Sequence, residues 1–199
     1  MPNHVTNILV VSGDADKRQA MFEAIKNDEI GLGSIDFNKV IPAPDNIFQG
    51  NLGAAEREKY GKNNWLDWNC ANWGTKWNSY GYQGPPCTEK EFDGATVEFQ
   101  TAWSAPTPVL IALAEKYPDL DFEIKWADED FGYNVGHKEY ENGEETFSSI
   151  PDGGSKEALE LAAEIHGVDL ADEGYLYNET TGEYEYHDPE EAPMSMQMQ

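Results

Sequence analysis

The chain has 199 residues, of which 39% are apolar and 12% aromatic, enough for one packed domain with additions or for two small ones. Its 38 acidic and 13 basic residues give a formal net charge of −25. A chain this negative repels polyanions, so its composition argues against binding to DNA or to an anionic membrane by phosphate neutralisation, and it favours cationic partners.

The N-terminal part predicts a βαβ unit. The β-branched and aliphatic run His4–Val11 predicts a first strand, which Ser12-Gly13 ends. Asp14 is a suitable N-cap for a helix in which the apolar residues recur at helical spacing, namely Ala20, Met21, Ala24 and Ile25. A second strand is predicted over Ile35–Ile41, because Pro42-Ala43-Pro44 would stop it.

An insertion over residues 45–94 contains four tryptophans: Trp65, Trp68, Trp73 and Trp77. Asn64–Trp73 is predicted to be helical, with Gly74 as its stop. Clustered tryptophans can stack bases or sugars, or they can cover the sheet. The sequence favours covering, because Lys76 alone does not make a basic groove.

A second βαβ unit follows the insertion. Thr96–Trp103 and Asp121–Trp126 predict strands, and Pro106 and Pro108 open a helix between them that carries Val109, Leu110, Leu113 and Ala114. Asn142-Gly143 then predicts a hairpin turn between strands in Phe131–Tyr140 and Glu145–Ser149. Tandem βαβ units predict an α+β fold, the ferredoxin-like split βαβ sandwich, which is an antiparallel sheet with helices on one face.

The acidic C-terminal region predicts a folded extension. Ser155 is a suitable N-cap for a helix that ends at Gly167, and tyrosine-rich segments around Thr180-Thr181-Gly182 predict a hairpin. The predicted division is therefore a ferredoxin-like domain over residues 1–148, an acidic helix and hairpin over 149–187 packed on it, and a frayed tail over 188–199.

Several motifs in one order carry a resemblance to a known family: Met1-Pro2-Asn3, Ile41-Pro42-Ala43-Pro44, Asn72-Trp73-Gly74-Thr75-Lys76-Trp77, Thr101-Ala102-Trp103-Ser104-Ala105-Pro106, and the hairpin from Phe131-Gly132 to Tyr140-Glu141-Asn142-Gly143. Together they resemble the YubB-type ferredoxin-like family of bacteriophages, plasmids and other mobile elements over residues 1–148. The resemblance implies a fold and a mobile-element setting and assigns no catalytic residue. Two cysteines, Cys70 and Cys87, cannot ligate a conventional iron–sulfur cluster.

Targeting and cofactor patterns point to a cytoplasmic protein of the host bacterium without a cofactor. The chain has no secretory leader and no apolar run long enough to span a membrane. Its four histidines, His4, His137, His166 and His187, have no metal-type spacing, and no phosphate-loop, nucleophile-elbow or HExxH motif occurs. Asp128-Glu129-Asp130 lacks the EF-hand pattern and predicts a turn.

The distribution of charge suggests a function. Residues 1–118 carry 15 acidic and 10 basic residues, whereas residues 119–199 carry 23 and 3. We expect a non-enzymatic inhibitor whose ordered carboxylates imitate DNA phosphates and bind a basic host nuclease, a restriction or other defence complex, or a transcription protein. The expected contact residues are Asp128, Glu129, Asp130, Glu139, Glu141, Glu144, Glu145, Glu157, Glu160, Glu164, Glu183 and Glu185. Alternatively, these side chains are only a solvated face.

Two other functions remain open at this stage. Pro2, exposed as an N-terminal amine after removal of Met1, could act as a general base in a tautomerase-like enzyme, with Lys17 and Arg18 as the only nearby cations in sequence. A nucleic-acid-binding ferredoxin-like module would instead stack bases on Trp103, Phe122 and Trp126. The net charge disfavours the second alternative.

Overall fold

The computed structural model describes residues 2–82 and 92–188. The expected frayed tail therefore lies almost entirely outside the described residues, as does Cys87. Among the described helices, none is long and apolar enough to cross a membrane.

Five antiparallel strands form the central sheet in the order β2-β1-β3-β4-β5. They are β1 (His4–Gly13), β2 (Thr96–Ala102), β3 (Leu120–Asp128), β4 (Gly136–Glu141) and β5 (Glu144–Ser149). The first strand of the chain lies between β2 and β3, where Leu9 is opposite both Val97 and Ile124. Because β1 separates the two strands joined by the helix α5 (Thr107–Lys116), β2-α5-β3 is a split βαβ unit. The α+β, ferredoxin-like fold class is confirmed.

One face of the sheet, here called the core face, is buried beneath helices. Alternate residues of β1, including Val5, Leu9 and Val11, point to this face and pack with Phe99 and Ile124 in the main apolar cluster. Residues of α1 (Ala15–Ile25) and α5 complete this cluster. Asp14 accepts hydrogen bonds from the backbone N–H groups of the first turn of α1, as its predicted N-cap role requires.

The predicted strand over Ile35–Ile41 is wrong, because this segment contains the short helix α2 (Phe37–Val40). Asp36 accepts a hydrogen bond from the backbone N–H of Asn38, which favours a helical turn over an extended chain. Ile35 and Phe37 are buried in the main cluster without pairing in the sheet. The first part of this run therefore contributes to the core from a loop and a helical turn instead of from a strand.

The insertion contains two further helices, α3 (Ala54–Tyr60) and α4 (Trp65–Asn72). The predicted helix boundaries of α4 are confirmed: Asn64 is its N-cap, Trp73 is its C-cap, and Gly74 follows at φ 78°. A left-handed backbone favours glycine at this position, so the stop signal in the sequence has a clear physical basis.

The opposite sheet face, here called the outer face, is partly covered by α6 (Lys156–His166). Ser155 accepts a hydrogen bond from Ala158 N at the start of α6, and Gly167 ends it in the left-handed conformation. Ala158, Ala162 and Ile165 pack with Ala127 in a second, smaller apolar cluster. The remaining strands, β6 (Tyr175–Asn178) and β7 (Glu183–Tyr186), form the predicted hairpin.

Candidate functional site

Most of the acidic residues expected to contact a partner are exposed. The ten exposed members, here called the acidic surface, lie in the loop after β3, the β4–β5 hairpin, α6 and β7: Glu129, Asp130, Glu141, Glu144, Glu145, Glu157, Glu160, Glu164, Glu183 and Glu185. Glu139 is half-buried and Asp128 is buried. All of these residues except Glu129 and Asp130 belong to a helix or strand, so most of the carboxylates stand on ordered backbone.

Side-chain contacts join the elements that carry this charge. Lys125 Nζ on β3 donates to Glu164 Oε1 on α6 at 2.7 Å. Tyr184 on β7 donates its hydroxyl to Glu160 Oε1 on the same helix at 3.3 Å. Through these bonds α6 contacts both the outer face of the sheet and the C-terminal hairpin. Glu145 is different, because it contacts Lys138, whose partner across the sheet is the core-face residue Ile124.

The few cations of this region do not cancel its charge. Residues 119–188 contain 21 Asp or Glu and three lysines. Lys125 contacts Glu164 at 2.7 Å, Lys138 contacts Glu145 at 2.5 Å, and Lys156 lies 3.9 Å from Glu160. The hydrogen bond to Glu164 raises the pKa of Lys125, which keeps the ammonium charged. Even with these pairs, the region remains strongly negative.

Asp128 is buried and joins parts of the fold, so it is not available on the surface to contact a partner. Its side chain is only 4% exposed and accepts hydrogen bonds from Asn3 Nδ2 at 2.9 Å and from Asn134 Nδ2 at 2.8 Å. It also accepts the backbone N–H of Asp130 at 3.0 Å. These bonds tie the start of β1 to the turn between β3 and β4, and they confirm the turn predicted at Asp128-Glu129-Asp130.

A histidine lies between two carboxylates on the outer face. His137 Nε2 is 3.0 Å from Glu123 Oε1 and 3.3 Å from Glu139 Oε1. These three residues, here called the Glu–His–Glu centre, come from adjacent strands, because Glu123 on β3 is directly opposite Glu139 on β4. His137 precedes Glu139 by two positions, so both side chains lie on the same face of β4. The centre is a set of side chains that could hold a metal ion.

A small open cavity adjoins this centre. It has a volume of about 180 Å³, and its lining includes Glu123 and Glu139 together with Ser12, Asp121 and Glu141. Room for a few water molecules beside the carboxylates leaves positions where water or another ligand could complete a coordination shell.

The tryptophans of the insertion cover the core and also line a groove. Trp73 is buried and donates its indole N–H to Ile41 O, and Trp68 packs against it edge-on with ring centroids 5.3 Å apart. The covering role is therefore confirmed for these two residues. Trp65 and the 37%-exposed Trp77 line a groove of about 710 Å³. Its lining contains carboxylates and amides, including Asp36 and Asn78, and among the residues that the structure describes no Lys or Arg contributes to it.

The residues expected for the two alternative functions are far apart or mostly buried. Pro2 is buried two residues before β1 begins, whereas Lys17 and Arg18 lie beyond the other end of this strand. Lys17 is paired with Asp119 at 2.7 Å. A ten-residue strand is about 33 Å long, so these cations are far from Pro2. Phe122 and Trp126 belong to the buried main cluster, and only Trp103 of the three proposed stacking residues is exposed.

Sequence analysis did not identify the Glu–His–Glu centre. The alternation of His137 and Glu139 within a predicted strand was an available signal, because residues two apart share a face. Glu123 could be added only once the register between β3 and β4 was known.

The chain resembles one described family. A family model, described as a ferredoxin-like domain in Api92-like protein, matches residues 72–169. The matched segment contains all strands of the sheet except β1, as well as α5 and α6 and the complete Glu–His–Glu centre. Neither the curated proteins nor the solved structures contain a match to this chain.

Proposed function

We propose that this protein is a non-enzymatic accessory protein of a phage or other mobile element, of the YubB type, that acts in the host cytoplasm. It binds and inhibits a basic host protein that handles nucleic acid or provides defence. The acidic surface is the contact region and imitates the phosphates that such a partner normally binds. The observation that carries this proposal is the presence of ten exposed carboxylate residues, eight of which stand on helices and strands of a folded scaffold.

The geometry suits a partner with a fixed array of Arg and Lys. Duplex DNA presents a charge about every 1.7 Å along its axis, so a surface that binds it requires several anionic groups held in place. Here α6 and the hairpins hold the carboxylates, and the bonds from Lys125 to Glu164 and from Tyr184 to Glu160 fix α6 relative to its neighbours. Complementary charge of this kind accelerates association and makes binding sensitive to salt.

Charge reversal tests the proposal. The variant Glu144→Lys/Glu157→Lys/Glu183→Lys changes one exposed residue on each of β5, α6 and β7. The matched control Glu29→Lys/Glu58→Lys/Glu115→Lys makes the same charge change at exposed positions outside the acidic surface. Each protein is used to capture partners from a bacterial lysate at low and high salt, and the captured proteins are identified by mass spectrometry.

We expect the native chain and the control to capture the same basic protein at low salt, and added duplex DNA to displace it. The surface variant should bind this partner at least ~10-fold more weakly, because several complementary charges are replaced by repulsive ones. Equal loss in both triple variants would indicate a dependence on net charge alone. That result, or undiminished capture by the surface variant, would contradict the proposal.

A further inference from the structure

We propose that the Glu–His–Glu centre is a binding site for a divalent transition metal, of which Zn²⁺ is the best match. The ligands are His137 Nε2 and one carboxylate oxygen each from Glu123 and Glu139. None of the three ligands belongs to the acidic surface, so this proposal does not depend on the proposed function.

The distances between the three ligand atoms fit a metal. Zinc binds imidazole nitrogen and carboxylate oxygen at ~2.0–2.2 Å, so two ligands of a tetrahedral ion are about 3.3 Å apart. The two separations from His137 Nε2 are 3.0 and 3.3 Å, and all three candidate atoms lie within 4.8 Å of one another. Only small side-chain rotations are needed to place the three atoms around one ion.

The hydrogen bonding of His137 is a second, independent observation. Its Nε2 atom is buried and makes no hydrogen bond within the described residues, although two carboxylate oxygens are close to it. The oxygens therefore lie to the side of the N–H direction. In a tetrahedral metal site the ion lies along the lone pair of the imidazole nitrogen. The other ligands of the ion lie to the side of that direction, as the two carboxylate oxygens do here. A metal placed along the lone pair would satisfy the buried nitrogen.

The chemistry of the ligands selects the class of ion. Ca²⁺ prefers six to eight oxygen ligands and Mg²⁺ prefers oxygen in an octahedral arrangement, whereas an imidazole between two carboxylates suits Zn²⁺ and its neighbours in the transition series. Two carboxylates and a neutral imidazole also balance the charge of a divalent cation. The adjoining cavity leaves room for water as a fourth ligand.

One neighbouring cation competes with a metal. Lys125 Nζ lies 3.4 Å from Glu123 Oε1, although its shorter contact is with Glu164 at 2.7 Å. Removing this ammonium should free the Glu123 oxygen and reduce electrostatic repulsion of an incoming ion. A metal site therefore predicts that Lys125→Gln binds Zn²⁺ more tightly than the native chain, which a purely structural ion-pair cluster does not predict.

Isothermal titration of the full chain with ZnCl₂ tests the site, with visible spectroscopy of bound Co²⁺ as a report on coordination geometry. We expect one strong site per chain and a tetrahedral Co²⁺ spectrum. His137→Ala and Glu123→Gln/Glu139→Gln should each weaken binding by more than ~10-fold, because even the loss of an outer-shell partner costs 10–100-fold. The matched controls His187→Ala and Glu29→Gln/Glu58→Gln change exposed residues outside both the centre and the acidic surface, and they should bind zinc as the native chain does.

Circular dichroism of every variant shows whether it is folded. If His137→Ala does not fold, the conservative Glu→Gln pair and Lys125→Gln still decide the question. The proposal would be overturned if the native chain did not bind zinc. It would also be overturned if the native chain and the folded variants of the centre bound zinc equally, because this would indicate nonspecific attraction to acidic residues.

Discussion

The two faces of the central sheet are formed by the same strands, but one is buried and apolar and the other is partly exposed and carries charge. The core face carries Leu9, Phe99 and Ile124 against α1 and α5, and its side chains are almost completely excluded from water. The outer face carries Glu123, His137 and Glu139, and α6 covers only part of it with small side chains such as Ala158 and Ala162. Stability therefore depends mainly on one face, which leaves the other free to hold charge.

Adjacent residues of β1 offer the most direct test of this difference. Leu9 is fully buried on the core face, whereas Ile8 is half-buried on the outer face. We expect Leu9→Ala to lower the free energy of unfolding by about 3–4 kcal/mol, through lost burial and a cavity. Ile8→Ala should cost roughly half as much, since water already reaches part of its side chain. Urea denaturation of both variants measures the difference, and equal costs would contradict the division of roles.

Asp128 provides a smaller test that separates structural from surface carboxylates. Asp128→Ala removes the acceptor for the amides of Asn3 and Asn134 and should destabilise the fold by about 1–3 kcal/mol. Glu144→Gln, at an exposed position of β5, should change stability by less than ~0.5 kcal/mol. Thermal unfolding of the two variants decides this. If Asp128→Ala is as stable as the native chain, the hydrogen bonds of Asp128 do not stabilise the fold, and its structural role is contradicted.

The smallest expected effect concerns Tyr140, which is on the core face. Burial raises the pKa of Tyr140 to about 12, with the Glu145 carboxylate adding to the shift. Between pH 10 and 12 the unfolded chain loses this proton while the folded chain retains it, so the contribution of Tyr140 to stability falls as pH rises.

Tyr140→Phe should therefore reduce the loss of stability between pH 9 and 11.5 and change stability little at pH 7, because the hydroxyl has no hydrogen-bond partner among the described residues. Urea denaturation across this range provides the measurement, and the tyrosinate absorbance should show one fewer high-pKa group. Identical pH profiles for the two proteins would indicate that water reaches the hydroxyl.

Local sequence signals predicted much of the fold. Alternation identified β3, Asn142-Gly143 identified the β4–β5 turn, and Ser155 with Gly167 defined α6 within a residue. These signals depend only on residues that are neighbours in sequence, so they can be recognised without knowledge of the tertiary structure. The short run Ile35–Ile41 failed because a few apolar residues suit a buried loop and helical turn as well as a strand.

The candidate site was predictable in part. Exposure of Glu157, Glu160 and Glu164 followed from the amphipathic pattern of α6. The burial of Asp128 could not be predicted from a local pattern, because its partner Asn3 is 125 positions away in sequence. The Glu–His–Glu centre likewise required the register of two strands, which pairing and packing determine jointly.

The central position of β1 also has a consequence for biosynthesis. This strand is synthesised before the other strands of the sheet, yet both of its neighbours come from residues 96–128. At about 5–20 residues per second, translation from residue 13 to residue 102, where the earlier partner β2 ends, takes roughly 4–18 s, and during this time β1 has no strand to pair with. Pairing of β1 must therefore wait for the middle of the chain, and an unpaired apolar strand is open to aggregation in the meantime.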